Sequence, residues 1–207
     1  MVSDASIRFF DAQFRRQVRE SDLKLNPFEE RALAHLHGTV LDYGCGLGNL
    51  AVVAARRGCP VRALDASAVA IDHLARVAAG ESLPIVAELA DLRTHRIDGR
   101  FDSVVSIGLL MFFDCPTAWR QLDRLQAAVC PGGVAIVNVL VHGTTFMDMF
   151  APDEHCLFDA GELIARFAGW TLLSQATDSF PAAHGTQKVF CTVIARKPQA
   201  AGGASTP

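Results

Sequence analysis

The sequence lacks the apolar stretches that place a chain in a membrane. No apolar run in its 207 residues approaches the roughly 20 residues that a bilayer crossing needs. The segment from Met1 to Phe14 carries charged residues where a secretory leader would be apolar. We therefore expect a cytoplasmic protein with no membrane partner.

Closely spaced cysteines are also missing. The six cysteines lie far apart, without a Cys-x-x-Cys pair or a regular spacing. This pattern indicates neither a disulfide framework nor a zinc site. We expect no bound metal, and we expect cysteines that stay reduced and fill small core positions. They are Cys45, Cys59, Cys115, Cys130, Cys156 and Cys191.

Basic residues are few and scattered. The chain has 19 Lys and Arg against 22 Asp and Glu, for a net charge of -3. Such a chain has no clustered positive surface to hold a phosphate backbone, so we expect a small-molecule partner and no nucleic acid. Half of the residues are apolar (50%), which is enough for the core of one domain. The oligomeric state is left open.

From residue 39 onward, β-rich runs alternate with segments of helical period. This alternation predicts βαβ units and a mostly parallel sheet, that is, an α/β fold. The last two β-like runs, 170–176 and 188–196, are joined by about a dozen residues, too few for a parallel crossover, so one strand should be reversed. Earlier strands are predicted at 39–43, 60–64, 85–89, 101–107 and 133–139, and helices at 49–57, 67–79, 116–128 and 159–168.

The segments on either side of this pattern differ from it. Residues 1–38 contain two stretches of helical spacing, and we expect them to form an N-terminal helical lid or cap. Phe10 and Phe14 on the first of these helices either pack against the sheet edge or touch a ligand. Residues 39–197 then form the main domain, and the Ala/Gly/Ser/Pro-rich tail 198–207 is expected to be disordered.

The most informative segment is a predicted strand that runs into a glycine-rich turn and then a helix. Glycines allow positive φ and let a ligand approach the backbone, as at the nucleotide sites of open α/β sheets. A dinucleotide fingerprint would need Gly or Ala at position 49, where this chain has Asn49. Asp42, two residues before Gly44, repels a pyrophosphate but attracts a cationic amino-acid moiety. The turn therefore favours a sulfonium amino acid over a dinucleotide.

Two more carboxylates follow the next predicted strands. Asp65 ends the second strand, where it can accept both hydroxyls of a ribose. Asp91 follows the third strand, where it can accept from an adenine amine while the backbone of Leu92 holds the ring. Each acid alone is a common cap or turn residue, but three at successive strand ends favour a nucleoside site.

Together these residues resemble the signature of class I S-adenosylmethionine-dependent methyltransferases. The resembling pattern is Asp42-x-Gly44-x-Gly46-x-Gly48, Asp65 and Asp91, with Pro131-Gly132-Gly133 before the fifth strand. The resemblance implies a Rossmann-like, doubly wound, seven-stranded, mostly parallel sheet with one antiparallel strand near the C-terminus. It also implies S-adenosylmethionine as cofactor and S-adenosylhomocysteine as product, with Asp42 near the methionine end. The cofactor-binding set expected from it is Asp42, Gly44, Cys45, Gly46, Gly48, Asp65, Ala66, Asp91, Leu92 and Ile107.

Short stretches along the chain also resemble the tellurite-resistance methyltransferases of the TehB type. These stretches are Phe9–Phe14, Leu109–Phe113, Phe158–Leu163, Gly169-Trp170 and Ala195–Lys197. The chain departs from that family after the third glycine, with Asn49-Leu50 where the family often has Arg-Asn. This narrower resemblance implies a small acceptor such as a tellurite- or selenite-type chalcogen oxyanion or a thiol.

Methyl transfer is an in-line displacement, so the protein supplies mainly alignment and a dry pocket. A thiolate or chalcogen oxyanion attacks without a general base, whereas a hydroxyl or amine needs one. His142, His155 and His184 follow the fifth strand, beyond the carboxyl ends of the sheet. His184 and His142 are the catalytic candidates, with plain surface histidines as the alternative.

The apolar side of the site is predicted from methionines and aromatic residues. The predicted substrate pocket comprises Phe10, Phe14, Met111, Phe112 and Phe158, with ordinary core packing as the alternative. Other functions left open are O- or N-methylation of a small metabolite and a non-catalytic S-adenosylmethionine-binding module. Asn49 and the absence of a Tyr-x-x-x-Lys pair disfavour an NAD-dependent oxidoreductase.

Overall fold

The computed structural model describes residues 4–20, 23–150 and 154–200. The helices are α1 (Asp4–Glu20), α2 (Pro27–Leu33), α3 (Asn49–Arg56), α4 (Ala68–Gly80), α5 (Cys115–Ala128) and α6 (Ala160–Ala165). The strands are β1 (Val40–Tyr43), β2 (Val61–Asp65), β3 (Ile85–Leu89), β4 (Phe101–Ile107), β5 (Val129–Leu140), β6 (Thr171–Pro181) and β7 (Gln187–Arg196). None of the described helices combines the length and apolarity that a bilayer crossing requires. Most of the expected disordered tail, 201–207, lies outside the described residues.

The seven strands form a single sheet in the order β3-β2-β1-β4-β5-β7-β6. Neighbours from β3 through β5 pair in parallel, whereas β7 pairs antiparallel with both β5 and β6. The predicted α/β fold with one reversed strand near the C-terminus is therefore confirmed. Because the parallel strands point the same way, the loops after β1, β2 and β4 meet at one edge of the sheet.

Both faces of the sheet are covered, which explains why the central strands are apolar throughout. All four residues of β1 are buried. Leu41 and Tyr43 belong to the core cluster that includes Leu122 of α5, whereas Val40 packs in the cluster that includes Leu50 of α3. Alternate side chains of a strand point to opposite faces, so helices cover the sheet on both sides.

Two of the six cysteines contradict the expectation that all stay reduced. Cys115 at the start of α5 forms a disulfide with Cys156, which lies 41 residues further along the chain. The loop after β5 turns back toward α5 and brings the two Cα atoms to 4.7 Å. Such proximity depends on the path of the loop and leaves no trace in cysteine spacing. The remaining cysteines, Cys45, Cys59, Cys130 and Cys191, are free.

Candidate active site

A crevice of about 290 Å³ opens where the carboxyl ends of β1, β2 and β4 meet. This is the position at which open α/β sheets bind ligands. Eight of the ten predicted cofactor-binding residues line it, namely Asp42, Gly44, Cys45, Gly46, Asp65, Ala66, Leu92 and Ile107. The topology alone explains their convergence, because these residues follow parallel strands that end at the same edge.

The turn after β1 forms one wall of the crevice with bare backbone. Gly44 and Gly46 have φ of 85° and 52°, in the left-handed region that favours glycine. A Cβ at Gly44 would lie 2.8 Å from the side chain of Leu109, so the turn has no room for a larger residue. Gly48 has a different role: it precedes α3, and a Cβ there would lie 2.5 Å from Leu74. Gly48 does not line the crevice. Its lack of a side chain leaves room for Leu74 to pack against it.

Asp65 closes this turn from the end of β2. Its Oδ2 accepts a hydrogen bond from the Gly46 N–H at 2.8 Å, and its Oδ1 accepts from the Ser67 N–H at 2.8 Å. A carboxylate has about four acceptor positions, so both oxygens keep capacity for further donors such as ribose hydroxyls. Burial raises the pKa of Asp65, although the backbone hydrogen bonds oppose this shift.

The opposite end of the crevice is acidic. Asp42 is only 5% exposed, and burial, together with the negative charges of Glu29 and Asp65, raises its pKa to about 8. Burial also raises the pKa of Glu29, whose Oε2 accepts from the Asn26 N–H at 2.7 Å at the start of α2. Three carboxyl groups that disfavour one another's ionisation create a place for a cation.

Sequence reasoning did not identify Glu29 as a crevice residue. The signal available was the Asn26-x-x-Glu29 capping box, which marks the start of a helix and contains nothing about a ligand. Only the packing of α2 near the glycine turn brings Glu29 close to Asp42.

Helix α1 closes one side of the crevice. Phe10 and Phe14 both line it, together with Gln13 and Gln17 of the same helix. A Cβ at Gly46 would lie 3.3 Å from the ring of Phe14, so this ring covers the glycine turn directly. The structure thus places both phenylalanines on the crevice.

A hydrogen bond fastens α1 to the main domain. The Ser67 hydroxyl, at the start of α4, donates to the Asp11 carboxylate at 2.5 Å. Because Asp65 also bonds the Ser67 backbone, the helix and the glycine turn share one anchoring residue.

Two of the five predicted substrate-pocket residues lie elsewhere. Phe112 lines the crevice, but Met111 belongs to an apolar cluster with Leu140 and Met149. Phe158 is 1% exposed and packs edge-on against Trp119 in the main core, with ring centroids 4.8 Å apart. Met111 and Phe158 therefore lie outside the lining of this crevice, because they pack in the core, and their role in a substrate pocket stays a prediction.

The predicted catalytic histidines also lie outside the crevice. His142 is exposed just after β5, and its N–H donates to the carbonyl of Phe158 at 2.9 Å. His184 is exposed in the connection between β6 and β7, with φ of 56°. Among the residues that the structure describes, no histidine lines the crevice.

Asp91 and Cys45, two further residues of the predicted cofactor-binding set, lie in different environments. Asp91 is exposed outside the lining, where its Oδ1 accepts from the Arg93 N–H at 3.1 Å, and its adenine role stays a prediction. Cys45 lines the crevice, but burial and the charges of Asp42 and Asp65 raise the pKa of its thiol well above the usual range. It stays protonated and is a poor nucleophile.

Comparisons with known proteins find methyltransferases among the matches. A family model described as "Methyltransferase domain" matches residues 40–133. "Hemagglutinin 1" of Eikenella corrodens is 28% identical over 166 residues, which are 76% of this chain and 54% of that protein. The "2-heptyl-1-hydroxyquinolin-4(1H)-one methyltransferase" of Mycobacteroides abscessus is 30% identical over 141 residues, 66% of this chain and 60% of that protein. The chain thus spans only part of the length of these curated relatives.

Solved structures share the fold over more of the chain. TehB from Haemophilus influenzae matches with a TM-score of 0.70 and 22% identity, over 84% of this chain and 62% of that chain. The N-methyltransferase NodS from Bradyrhizobium japonicum, in complex with S-adenosylhomocysteine, matches with a TM-score of 0.70 and 17% identity, over 95% and 100% of the two chains. At these identities the likeness establishes the fold.

Proposed function

We propose that this chain, which contains a class I S-adenosylmethionine-dependent methyltransferase domain resembling that of TehB, transfers a methyl group from S-adenosylmethionine to a small molecule. The observation that carries the proposal is the acidic crevice beside the glycine turn. Glu29 and Asp65 line it, and Asp42 can lose its proton to pair with a ligand that carries a sulfonium and an ammonium group.

The residues of the crevice fit this cofactor in shape as well as in charge. The turn around Gly44 and Gly46 exposes backbone where side chains would block a ligand. Asp65 can hold the ribose hydroxyls, and Asp42 and Glu29 can hold the ammonium group. The sulfonium itself supplies the activated methyl group, and the protein aligns it and excludes water.

Helix α1 acts as the lid of this site. Its inner face covers the glycine turn with Phe14, and the hydrogen bond between Asp11 and Ser67 holds it in place. Replacing Asp11 with Asn weakens this charged anchor. The lid assignment predicts faster dissociation of S-adenosylhomocysteine from that variant, measured by stopped-flow competition.

The crevice favours an acceptor that needs no general base. No histidine lines it among the described residues, and its carboxyl groups lie at the cofactor end. The rest of the lining includes the apolar residues Phe10, Leu109 and Phe112, beside polar ones such as Gln13 and Lys24. We therefore infer an acceptor with an apolar body and an atom already ionised near neutral pH, such as a thiolate or an acidic hydroxyl. The named activity of the quinolone-methylating relative concerns a hydroxyl compound with an alkyl chain.

A tellurite- or selenite-type oxyanion is the second candidate. The likeness to TehB favours it. The apolar part of the lining opposes it, because Phe10, Leu109 and Phe112 offer no hydrogen bonds to a strongly hydrated oxyanion.

The test is an acceptor screen that measures S-adenosylhomocysteine formation. The panel contains an alkyl thiol, an alkyl hydroxyquinolone, a phenol, an amine, tellurite and selenite. We expect turnover with the thiol or the acidic hydroxyl. His142→Ala and His184→Ala should keep rates within about twofold of the parent, because both side chains lie outside the crevice.

Other outcomes of the screen separate the remaining functions. Tight binding of S-adenosylmethionine without product from any acceptor would identify a non-catalytic binding module. Loss of turnover in either histidine variant would restore a base-dependent O- or N-methyltransferase. Absence of cofactor binding would overturn the proposal.

A further inference from the structure

The chain between β5 and α6 forms a loop whose base is pinned to the sheet. We call its described residues, 142–150 and 154–157, the capping loop. At the base, the His142 N–H donates to the Phe158 carbonyl at 2.9 Å, and the Phe158 N–H donates to the Leu140 carbonyl at 3.1 Å. The two ends of the loop are therefore fixed together at the edge of β5.

Another part of the capping loop packs on residues 110–115, which we call the crevice roof. The Cys156 N–H donates to the Met111 carbonyl at 3.0 Å. The ring of Phe150 lies 5.1 Å from that of Phe112, centroid to centroid, and it also stacks on His155. The loop thus contacts Phe112 from the side away from the cofactor end.

Phe112 also contacts α1, the lid. Its ring meets Phe10 of α1 edge-on at 5.0 Å, and Phe10 stacks on Phe14 at 5.8 Å. Phe10, Phe14 and Phe112 all line the crevice. A continuous row of aromatic contacts therefore joins the capping loop to the helix that covers the glycine turn.

Residues 144–146 of the loop are hydrogen-bonded to β7, whereas one covalent bond fastens residues 154–157 to the roof. Cys156 is 1% exposed and is bonded to Cys115, three residues after Phe112. The ion pair between Arg93 and Glu154 is long, at 3.4 Å, and the Glu154 side chain is 41% exposed, so it contributes little to holding the loop.

We propose that the Cys115–Cys156 disulfide is a positioning element that holds Phe112 against the lid, so that its reduction loosens the crevice. This inference rests on the proposed function for its effect on cofactor binding. In the reduction, a dithiol attacks one sulfur and forms a mixed disulfide, and its second thiol then resolves it. The S–S bond takes up two electrons and two protons, giving two cysteine thiols and the oxidised, cyclic form of the dithiol.

The experiment compares the oxidised full-length chain with the same chain treated with dithiothreitol. Thiol alkylation and mass spectrometry should count four free cysteines before treatment and six after it. Hydrogen exchange should then accelerate in peptides from the capping loop and from residues 110–115, while β1 and β2 keep their protection. S-adenosylhomocysteine affinity should fall by about threefold or more, as expected if only about a third of the reduced molecules keep a closed crevice.

Two variants test whether the effect is local. Cys115→Ala with Cys156→Ala should match the reduced chain, and dithiothreitol should change it no further, even though Cys45 remains in the crevice. Ile194→Ala lowers stability by opening a cavity in the core cluster on the other face of the sheet, which contains neither cysteine of the disulfide nor any of residues 110–115. It should leave the affinity unchanged.

The outcomes are decisive in both directions. Unchanged exchange in the capping loop after reduction would overturn the inference, as would equal affinity losses in the Ile194 variant. If the double variant fails to fold, the reduced parent chain still provides the comparison. If the oxidised chain binds no S-adenosylhomocysteine, the proposed function fails, and exchange alone then judges the role of the disulfide.

Discussion

Replacing Asp42 with Asn should make the protein more stable and its site weaker. The buried carboxyl has a pKa of about 8 in the folded chain, against an ordinary value of 3.8. Asn has nearly the same shape and carries no charge, so the variant removes the cost of a buried ionisable group beside Glu29 and Asp65.

The sign and size of the effect follow from these two pKa values. A pKa raised by folding gives stability that is fully present below the unfolded value and is lost as the pH rises through the folded value. Each pH unit between the two values corresponds to about 1.4 kcal/mol. At pH 7 the Asn variant should therefore gain up to about 4 kcal/mol in the free energy of unfolding, and near pH 4 the gain should vanish.

Urea denaturation of both proteins from pH 4 to pH 8 measures this difference. A curve for the parent chain that falls relative to the variant with rising pH is the expected result. A variant that is equally stable, or less stable, at pH 8 would refute the claim that burial and neighbouring acids hold this carboxyl protonated.

The same substitution should weaken cofactor binding. A charged hydrogen bond lost from a buried site costs about 1.5–3 kcal/mol, or about 10- to 100-fold in affinity. In the parent chain, binding at pH 7 should also release a proton from Asp42. Calorimetry in buffers of different ionisation enthalpy detects that proton, which the Asn variant should not release.

Three further predictions concern the turn and the disulfide. Asp65→Asn should lower S-adenosylhomocysteine affinity about 100-fold and reduce stability by about 1–3 kcal/mol, measured by calorimetry and urea denaturation, because it weakens two backbone contacts. Gly46→Ala should also impair binding, since its positive φ is strained for alanine and the new methyl group meets Phe14; intact affinity would contradict this view of the turn. Reducing the Cys115–Cys156 bond, which spans 41 residues, should lower the free energy of unfolding by about 4 kcal/mol. Denaturation with and without reductant checks that value.

Much of the fold could be predicted because local patterns and parallel topology agree. The predicted bounds 85–89 and 101–107 match β3 and β4, where apolar runs end in polar turns. The sixth strand was predicted to end at residue 176 but continues to Pro181. Its later residues are polar and lie at the sheet edge, where backbone pairing with β7 maintains the strand without an apolar pattern.

Only some residues of the candidate site could be predicted from the sequence. Asp42 and Asp65 could be placed because the residues after parallel strands must meet at one edge. Phe158 and the two bonded cysteines could not, since their positions depend on a loop of irregular path. The same holds for His142 and His184: following β5 does not determine whether a loop residue lines the crevice, and their catalytic role stays a prediction.

The acidic end of the crevice also distinguishes the two sides of the proposed reaction. When a sulfonium loses its methyl group it becomes a neutral thioether, so the spent nucleoside carries one positive charge fewer than the incoming one. A carboxylate attracts a sulfonium but not a neutral thioether. The carboxyl groups that line the crevice should therefore bind the spent nucleoside less tightly than the incoming one, which favours release of the product and entry of the next reactant.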